Sequence, residues 1–317
     1  MNILEIEHLD VHFPIHIGTV RAVEDVSLSL QQGEVMGLVG ESGCGKSTLG
    51  FSILKLLRSP GHIAGGAIRY HGRDIAGMKQ RELLNLRGKK ISMIFQDPLT
   101  SLNPLFRVED HFVETIQTHE KGISRKKARA RSEEMLVNLG ISPERLGEYP
   151  HQMSGGMRQR IMIGISLILN PDLLIADEPT TSLDVIVEAQ FLDLLNELRR
   201  KYNLTILLIS HNLGIVAQMA DRVTVMYGGR IAESGAAETV FTNPAHPYTQ
   251  GLLASIPNIQ LDKPEIQTMP GAPPDLVNPP PGCVLHPRCP QVMEKCKRER
   301  PVFTEDNGRR VSCWLYS

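Results

Sequence analysis

Residues 40 to 48 read Gly40-Glu41-Ser42-Gly43-Cys44-Gly45-Lys46-Ser47-Thr48, the pattern G-x-x-x-x-G-K-[ST]. The glycines let the backbone turn tightly, so that successive N–H groups converge on one concave spot. A helix opening at Lys46 adds its positive N-terminus, and a polyphosphate belongs there. Lys46 offers a point charge to the β- and γ-phosphates, and Ser47 a hydroxyl to Mg²⁺. The apolar run Val35-Met36-Gly37-Leu38-Val39 leads into the loop as a buried strand. A glycine-rich turn that binds nothing would need neither the lysine nor the serine. The loop alone does not say which nucleotide-consuming chemistry follows.

Further motifs narrow the chemistry. Leu173-Leu174-Ile175-Ala176-Asp177 is an apolar strand ending in an acid, and Glu178 comes next. Two acids at a buried strand end are costly unless cations or donors meet them. Asp177 would hold Mg²⁺ through its water shell, and Glu178 could polarise a water facing the γ-phosphate. Ser154-Gly155-Gly156 opens an apolar-periodic helix carrying Ile161, Ile165 and Leu169. A serine and glycines at a helix start make a second anion site. Gln96 follows the strand at Ile91 to Phe95, and His211 follows the one at Thr205 to Ile209. Open α/β sheets hold their ligands at such carboxyl ends.

Of five cysteines, Cys44 sits alone in the phosphate loop, while Cys283, Cys289, Cys296 and Cys313 crowd the C-terminal end. In a reducing compartment such a group reads as a metal site rather than a disulfide framework. The spacing Cys-x5-Cys-x6-Cys-x16-Cys contains no close pair of the kind structural zinc prefers. Cys289 is followed by Pro290, as in some iron–sulfur ligand sets, but the ferredoxin spacing is absent. Zinc, an iron–sulfur cluster and no ligand at all each stay open on the residues alone.

These side chains need a frame. Alternation at Leu4, Ile6, Leu9, Val11 and Phe13 predicts an antiparallel strand over residues 3–13. Strands are also expected at Val26 to Leu30 and Ala67 to Tyr70, and a helix from the loop to about Leu57. Over 97–155 strand signals vanish. Ser124 can cap a helix that Gly140 ends, which predicts an inserted helical subdomain. Strand–helix alternation returns at 173–209. Gly228-Gly229 then joins Arg222 to Tyr227 to the next strand as a hairpin. The fold class is α/β, a mostly parallel sheet with an antiparallel part. Prolines at 270, 273, 274 and 279–281 mark a change, so a boundary is expected near 256, with 1–256 as the main domain and 257–317 as a proline- and cysteine-rich extension.

A net charge of −1 gives no bulk attraction for nucleic acid. No apolar run approaches the ~20 residues that cross a bilayer. The first residues lack the order of a signal peptide. The expectation is a cytoplasmic protein that serves a membrane, if at all, by docking on another chain.

The order Gly40–Thr48, Gln96, Ser154-Gly155-Gly156, Asp177-Glu178, Asp184, His211 resembles the ATP-binding subunit of an ABC transporter, over residues 3 to about 255. Gln96-Asp97-Pro98-Leu99-Thr100-Ser101-Leu102-Asn103-Pro104, Asn243-Pro244-Ala245-His246-Pro247-Tyr248-Thr249 and the cysteine tail resemble the peptide-importer branch (dipeptide, oligopeptide and nickel), the dipeptide ATPases most of all. Met153 and Met157 flank Ser-Gly-Gly where the family's signature is Leu-Ser-Gly-Gly-Gln. Ser182 stands where alanine is commoner.

The resemblance implies a RecA-like nucleotide-binding core whose subunits close head to tail. Each ATP would lie between one chain's loop (Gly40, Ser42, Gly43, Cys44, Gly45, Lys46, Ser47, Thr48) and the other's Ser154, Gly155 and Gly156. Ser47, Gln96 and Asp177 would hold Mg²⁺. Glu178 would be the general base, with Lys46, Gln96 and His211 on the phosphates and Asp184 beside them. Phe13 would stack on adenine, with His12 and Arg21 as rivals. The four tail cysteines would hold a [4Fe–4S] cluster, zinc being the alternative. Expected partners are a second ATPase subunit (identical or a paralogue), two membrane permease subunits docking on 97–150, and indirectly a peptide-binding protein. No nucleic acid is expected. The same role for nickel or another solute, or a soluble ABC ATPase, is the alternative.

Overall fold

A computed structural model describes residues 1–96, 102–181, 183–255, 269–306 and 308–317. The expected boundary near 256, the stretch Asp97 to Ser101, and Ser182 fall outside the described residues. In chain order the elements are β1 (Asn2–Ile15), β2 (Gly18–Gln31), β3 (Val35–Val39), α1 (Lys46–Ile53), β4 (His62–Tyr70), β5 (Arg73–Asp74), α2 (Gln80–Leu86) and β6 (Ile91–Ile94). Then come α3 (Val108–His119), α4 (Arg125–Asn138), α5 (Gly155–Leu167), β7 (Leu173–Asp177), α6 (Val185–Tyr202), β8 (Thr205–Ser210) and α7 (Leu213–Met219). The last are β9 (Arg222–Tyr227), β10 (Arg230–Ala236), α8 (Ala237–Thr242), α9 (Pro247–Ala254), β11 (Thr304–Asp306) and β12 (Arg309–Val311).

The chain forms two compact units, Met1–Gly77 with Leu208–Ser317, and Met78–Leu207. In the first, β2, β1, β4 and β5 make an antiparallel sheet in that order. β1 and β2 run longer than alternation predicts, because register shifts at Ile6/Leu9 and Leu9/Val11 break the two-residue period. The same unit orders its other strands β11-β12-β10-β9-β3. β3 is buried along its whole length and runs parallel to β9, with Val39 opposite Val225. Val216 of α7 packs directly over Gly37, so β3 is covered by a helix, as parallel strands require. α1 stops at Ile53 rather than Leu57, because Lys55 turns left-handed at φ +50°.

Residues 269–317 belong to this first unit. β12 pairs antiparallel with β10, Glu233 opposite Val311. Arg300 reaches back to the Glu24 carboxylate on β2 at 2.9 Å, which also meets Arg230 at 2.7 Å.

In the second unit β6 and β7 are parallel, Ile91 opposite Leu173. β8, whose residues fall in both units, lies next to β7 in strand order. The rest is helical. Ser124 caps α4 by accepting from the Lys127 N–H. Phe112, Val113 and Ile116 of α3, Met135 and Leu136 of α4, and Ile161 and Ile163 of α5 are all buried. Close approach at α5 needs Gly164. A Cβ there would lie 2.6 Å from a Leu139 methyl and 3.0 Å from the Phe112 ring.

Gly164→Val therefore overpacks this core by about 1–3 kcal/mol, outweighing the helix-propensity gain of up to ~1 kcal/mol. The expected result is a lower urea midpoint. An unchanged midpoint would mean that α5 shifts to absorb the side chain.

Candidate nucleotide site

The first unit holds the phosphate-binding loop. Gly45, at φ +104°, is the N-cap of α1, and a Cβ there would meet the Ala22 carbonyl at 2.1 Å. Only glycine fits, and the loop's path is thereby fixed. Lys46 is 4% exposed, and its ammonium donates to the carbonyls of Gly40 (2.7 Å) and Glu41 (3.0 Å). A buried ammonium needs such partners. They aim it back across the loop, on the side where phosphates would sit. Cys44 is buried, and its thiol pKa is raised by that burial, with Lys46 opposing. It packs within the loop. His211, in this unit, is exposed. Phe13 is half-buried, with the Cδ1–Cε1–Cζ edge of its ring against Gly61.

The second unit gathers the acids. Asp177 is 1% exposed at the end of β7. Glu178 follows at φ +46°, a left-handed conformation that costs energy in a non-glycine residue and marks functional sites. Its Oε2 accepts from the Gln96 amide at 2.9 Å and from the Thr181 hydroxyl at 3.2 Å. Two residues the sequence singled out thus meet, and Thr181 joins them.

Ser154, Gly155, Gly156 and Asp184 lie elsewhere in the same unit. They line a cleft of about 440 Å³ with Gly140, Arg160 and Val187. Neither Gln96 nor Glu178 lines it. Ser154 caps α5, its hydroxyl accepting from the Met157 N–H at 3.3 Å. Asp184 caps α6, accepting from Ile186 (3.1 Å) and Val187 (2.9 Å).

A family model described as ABC transporter matches residues 23–181, half of the chain. The chain belongs to the ABC transporter family. It is an ATPase of that type, and the family implies ATP and Mg²⁺. The described loop fits a nucleotide: its glycine backbone leaves a cradle, and its lysine lies across it. A second model, described as oligopeptide/dipeptide transporter C-terminal region, matches residues 232–296. The dipeptide transport ATP-binding protein DppD of Bacillus subtilis is 47% identical over 99% of this chain and 94% of its own. The oligopeptide transport ATP-binding protein OppD of Salmonella typhimurium is 47% identical over 98% and 93%. Among solved structures, cbiO1 of Clostridium perfringens, part of the ABC transporter complex cbiONQ, matches with TM-score 0.66 and 28% identity, covering 76% of this chain and 91% of its own. The dimeric ATP-binding cassette MJ0796 bound to ADP and Pi has the same fold, at TM-score 0.66 and 23% identity over 74% and 98%. This ABC ATPase has mixed sheets and helices, as its sequence pattern predicts, and no described helix is long and apolar enough to cross a membrane.

Around its loop, this ABC transporter chain uses residues whose sequence gave little sign of a site. Tyr248 is fully buried, and its hydroxyl accepts the Glu41 N–H at 2.9 Å. Burial raises its pKa, so it stays neutral. Pro247 opens α9 at N1, and His246 Nδ1 accepts from the Tyr248 N–H at 3.1 Å. The wholly buried Glu233 carboxylate takes the N–H groups of Ala245 and His246, both at 2.9 Å. The stretch from Asn243 to Thr249 is therefore a brace for the loop. Its signal lay in Pro247 after a capping residue, but its target is 207 residues away.

The four tail cysteines line one cavity of about 10 Å³ with His286, Gln291, Met293 and Trp314. None is in a disulfide. Burial pushes the Cys283 thiol up to about 11 and raises Cys289 and Cys313 in the same direction, neighbouring cysteines adding to it. Among the described residues, no three His, Cys, Asp or Glu side chains are gathered to hold a single metal ion.

Burial depresses the His246 pKa to about 4. The unfolded chain takes this proton near pH 6.5 and the folded chain does not until about pH 4. Stability is complete above pH 6.5 and falls as pH drops through that window, by ~3 kcal/mol in all. His246→Asn keeps an acceptor for the Tyr248 N–H and removes the titration. The urea midpoint of the wild type should then fall more steeply between pH 7 and pH 4.5 than that of the variant. Parallel profiles would show that His246 protonates freely in the fold.

Proposed function

We propose that this chain is the ATP-hydrolysing subunit that powers uptake of di- and oligopeptides across the cytoplasmic membrane. Relatives named as dipeptide and oligopeptide transport proteins match over nearly the whole chain, and the oligopeptide/dipeptide region model supports the same substrate class. One observation carries the mechanism. Ser154-Gly155-Gly156 and Asp184 open on a cleft that neither Gln96 nor Glu178 lines. A second anion-binding helix start, on a cleft apart from Gln96 and Glu178, serves a nucleotide held by another chain. The site is composite, and a second ATPase subunit, identical or a paralogue, completes it.

In this reading Gly40, Ser42, Gly43, Cys44, Gly45 and Thr48 shape the cradle for the ATP phosphates. Lys46 bears on the β- and γ-phosphates, and Phe13 on adenine. Ser47, Asp177 and Gln96 would hold Mg²⁺, which neutralises phosphate charge. Glu178 takes the proton of the attacking water as the new O–P bond forms, and the bond to the ADP oxygen breaks. Gln96 and Thr181 hold the Glu178 carboxylate in place, and His211 bears on the γ-phosphate. Gln96, bonded to the base, reports its state towards the permease subunits. ATP favours the closed pair of subunits and hydrolysis releases it. The helical region after residue 101 carries the exposed Leu105 and Phe106, and these support a docking surface for a permease. The chain then works at the cytoplasmic face of the membrane, with two permease subunits and, through them, a peptide-binding protein.

The domain division proposed is an ATPase domain to about 256 and a cysteine-rich extension after it. Cys283, Cys289, Cys296 and Cys313 would hold a [4Fe–4S] cluster, zinc being the alternative. Four cysteines around one cavity, Cys296 and Cys313 buried and Cys283 and Cys289 partly so, support a metal group there, and their wide spacing in sequence favours the cluster. Neutral buried thiols become thiolates on binding iron.

Glu178→Gln should abolish steady-state ATP hydrolysis and retain ATP binding; near-wild-type turnover would remove Glu178 from the role of base. Protein purified without oxygen should be brown and carry about four irons per chain, falling to background in Cys289→Ser. A colourless chain with one zinc would refute the cluster.

A further inference from the structure

Glu41 is the second residue of the phosphate-binding loop and its only acid. A carboxylate on a loop that receives a polyphosphate is unfavourable, because like charges repel most where water is partly excluded. The structure answers this charge from the far end of the chain. Arg288, between Cys283 and Cys289, donates through both terminal nitrogens to the two Glu41 carboxylate oxygens, at 2.8 and 3.0 Å. Its Nε donates to the Pro270 carbonyl at 2.8 Å, and one terminal nitrogen also to the Tyr227 hydroxyl at 3.3 Å. The guanidinium lies 5.7 Å from the centre of the Tyr227 ring, and that ring packs at 4.4 Å on Tyr248.

Arg288 is 7% exposed. A planar fork held at every edge is a fixed partner, not a surface charge that wanders. Glu41 is thus gripped three ways: its carbonyl by Lys46, its N–H by Tyr248, its carboxylate by Arg288.

We propose that Arg288 is a positioning residue for ATP: by binding and neutralising Glu41, it sets the phosphate-binding loop in the form that accepts a polyphosphate. The proposal rests on the ATPase reading above. It makes the tail part of the nucleotide site through one ion pair. A mere strut would behave differently. Loss of a strut loosens the fold whatever the charge at residue 41. Loss of a neutralising partner harms phosphate binding only while Glu41 keeps its charge.

The test uses the full-length chain with Mg²⁺ and a fluorescent trinitrophenyl-ATP, displaced by ATP or by adenosine. Circular dichroism follows folding. R288M should weaken ATP binding about tenfold, as expected if the competent loop is populated about a tenth of the time. Adenosine, which has no phosphates, should bind as before. E41Q removes the charge that Arg288 answers, so R288M/E41Q should bind ATP more tightly than R288M and as tightly as E41Q alone. R288K, which keeps the charge but not the fork, should show the same pattern at smaller amplitude. Wild-type ATP affinity in R288M, equal losses for ATP and adenosine, or no recovery with E41Q would each overturn the proposal. Should R288M fail to fold, R288K is read against R288K/E41Q, and absence of recovery there overturns it equally. Wild-type chain that binds no ATP would strike the ATPase reading instead.

Discussion

A loop that presents its N–H groups to a phosphate cannot use those groups to hold itself together. Its form must come from elsewhere, and much of the first unit is arranged to supply it. Lys46 ties the carbonyls of Gly40 and Glu41. The Cys44 carbonyl accepts from Gly229 at the β9–β10 turn. Tyr248 and Arg288 take the N–H and the carboxylate of Glu41. Behind them Glu233 fixes the start of α9 with two backbone N–H bonds. A carboxylate buried without such donors would be strongly disfavoured. With them, it makes a stiff joint between β10 and the helix that carries Tyr248.

Secondary structure was legible wherever its signal is local. The phosphate loop, the strand ending in Asp177-Glu178 and the serine opening α5 are each written within ten residues or fewer, and the structure has those elements in place. The Ser124 cap and the Gly228-Gly229 hairpin were readable for the same reason: one residue's backbone preference fixes them. The brace was not legible. Glu41 and Arg288 are 247 residues apart, and nothing near either one announces the other. β2 was read short because positive φ at Asp25 interrupts its alternation. The β11–β12 pairing joins two strands of three residues each, too short to show alternation in the sequence.

The two helix caps in the second unit show how one residue carries two readings. Ser154 and Asp184 each satisfy N–H groups at a helix start, which is reason enough for their presence. They also border the same cleft. A cap keeps the first turn of a helix ordered, and an ordered first turn is what an anion from outside would meet.

The pairing of β12 with β10 bears on solubility. Val311 and Arg310 cover an edge that would otherwise present unpaired backbone groups along β10, beside the buried Ile231 and Ala232. An uncovered apolar edge recruits strands from other molecules. A chain cut before residue 269 loses this cover together with Arg288. It would keep every nucleotide motif read from its sequence and still self-associate, one sheet edge adding to the next.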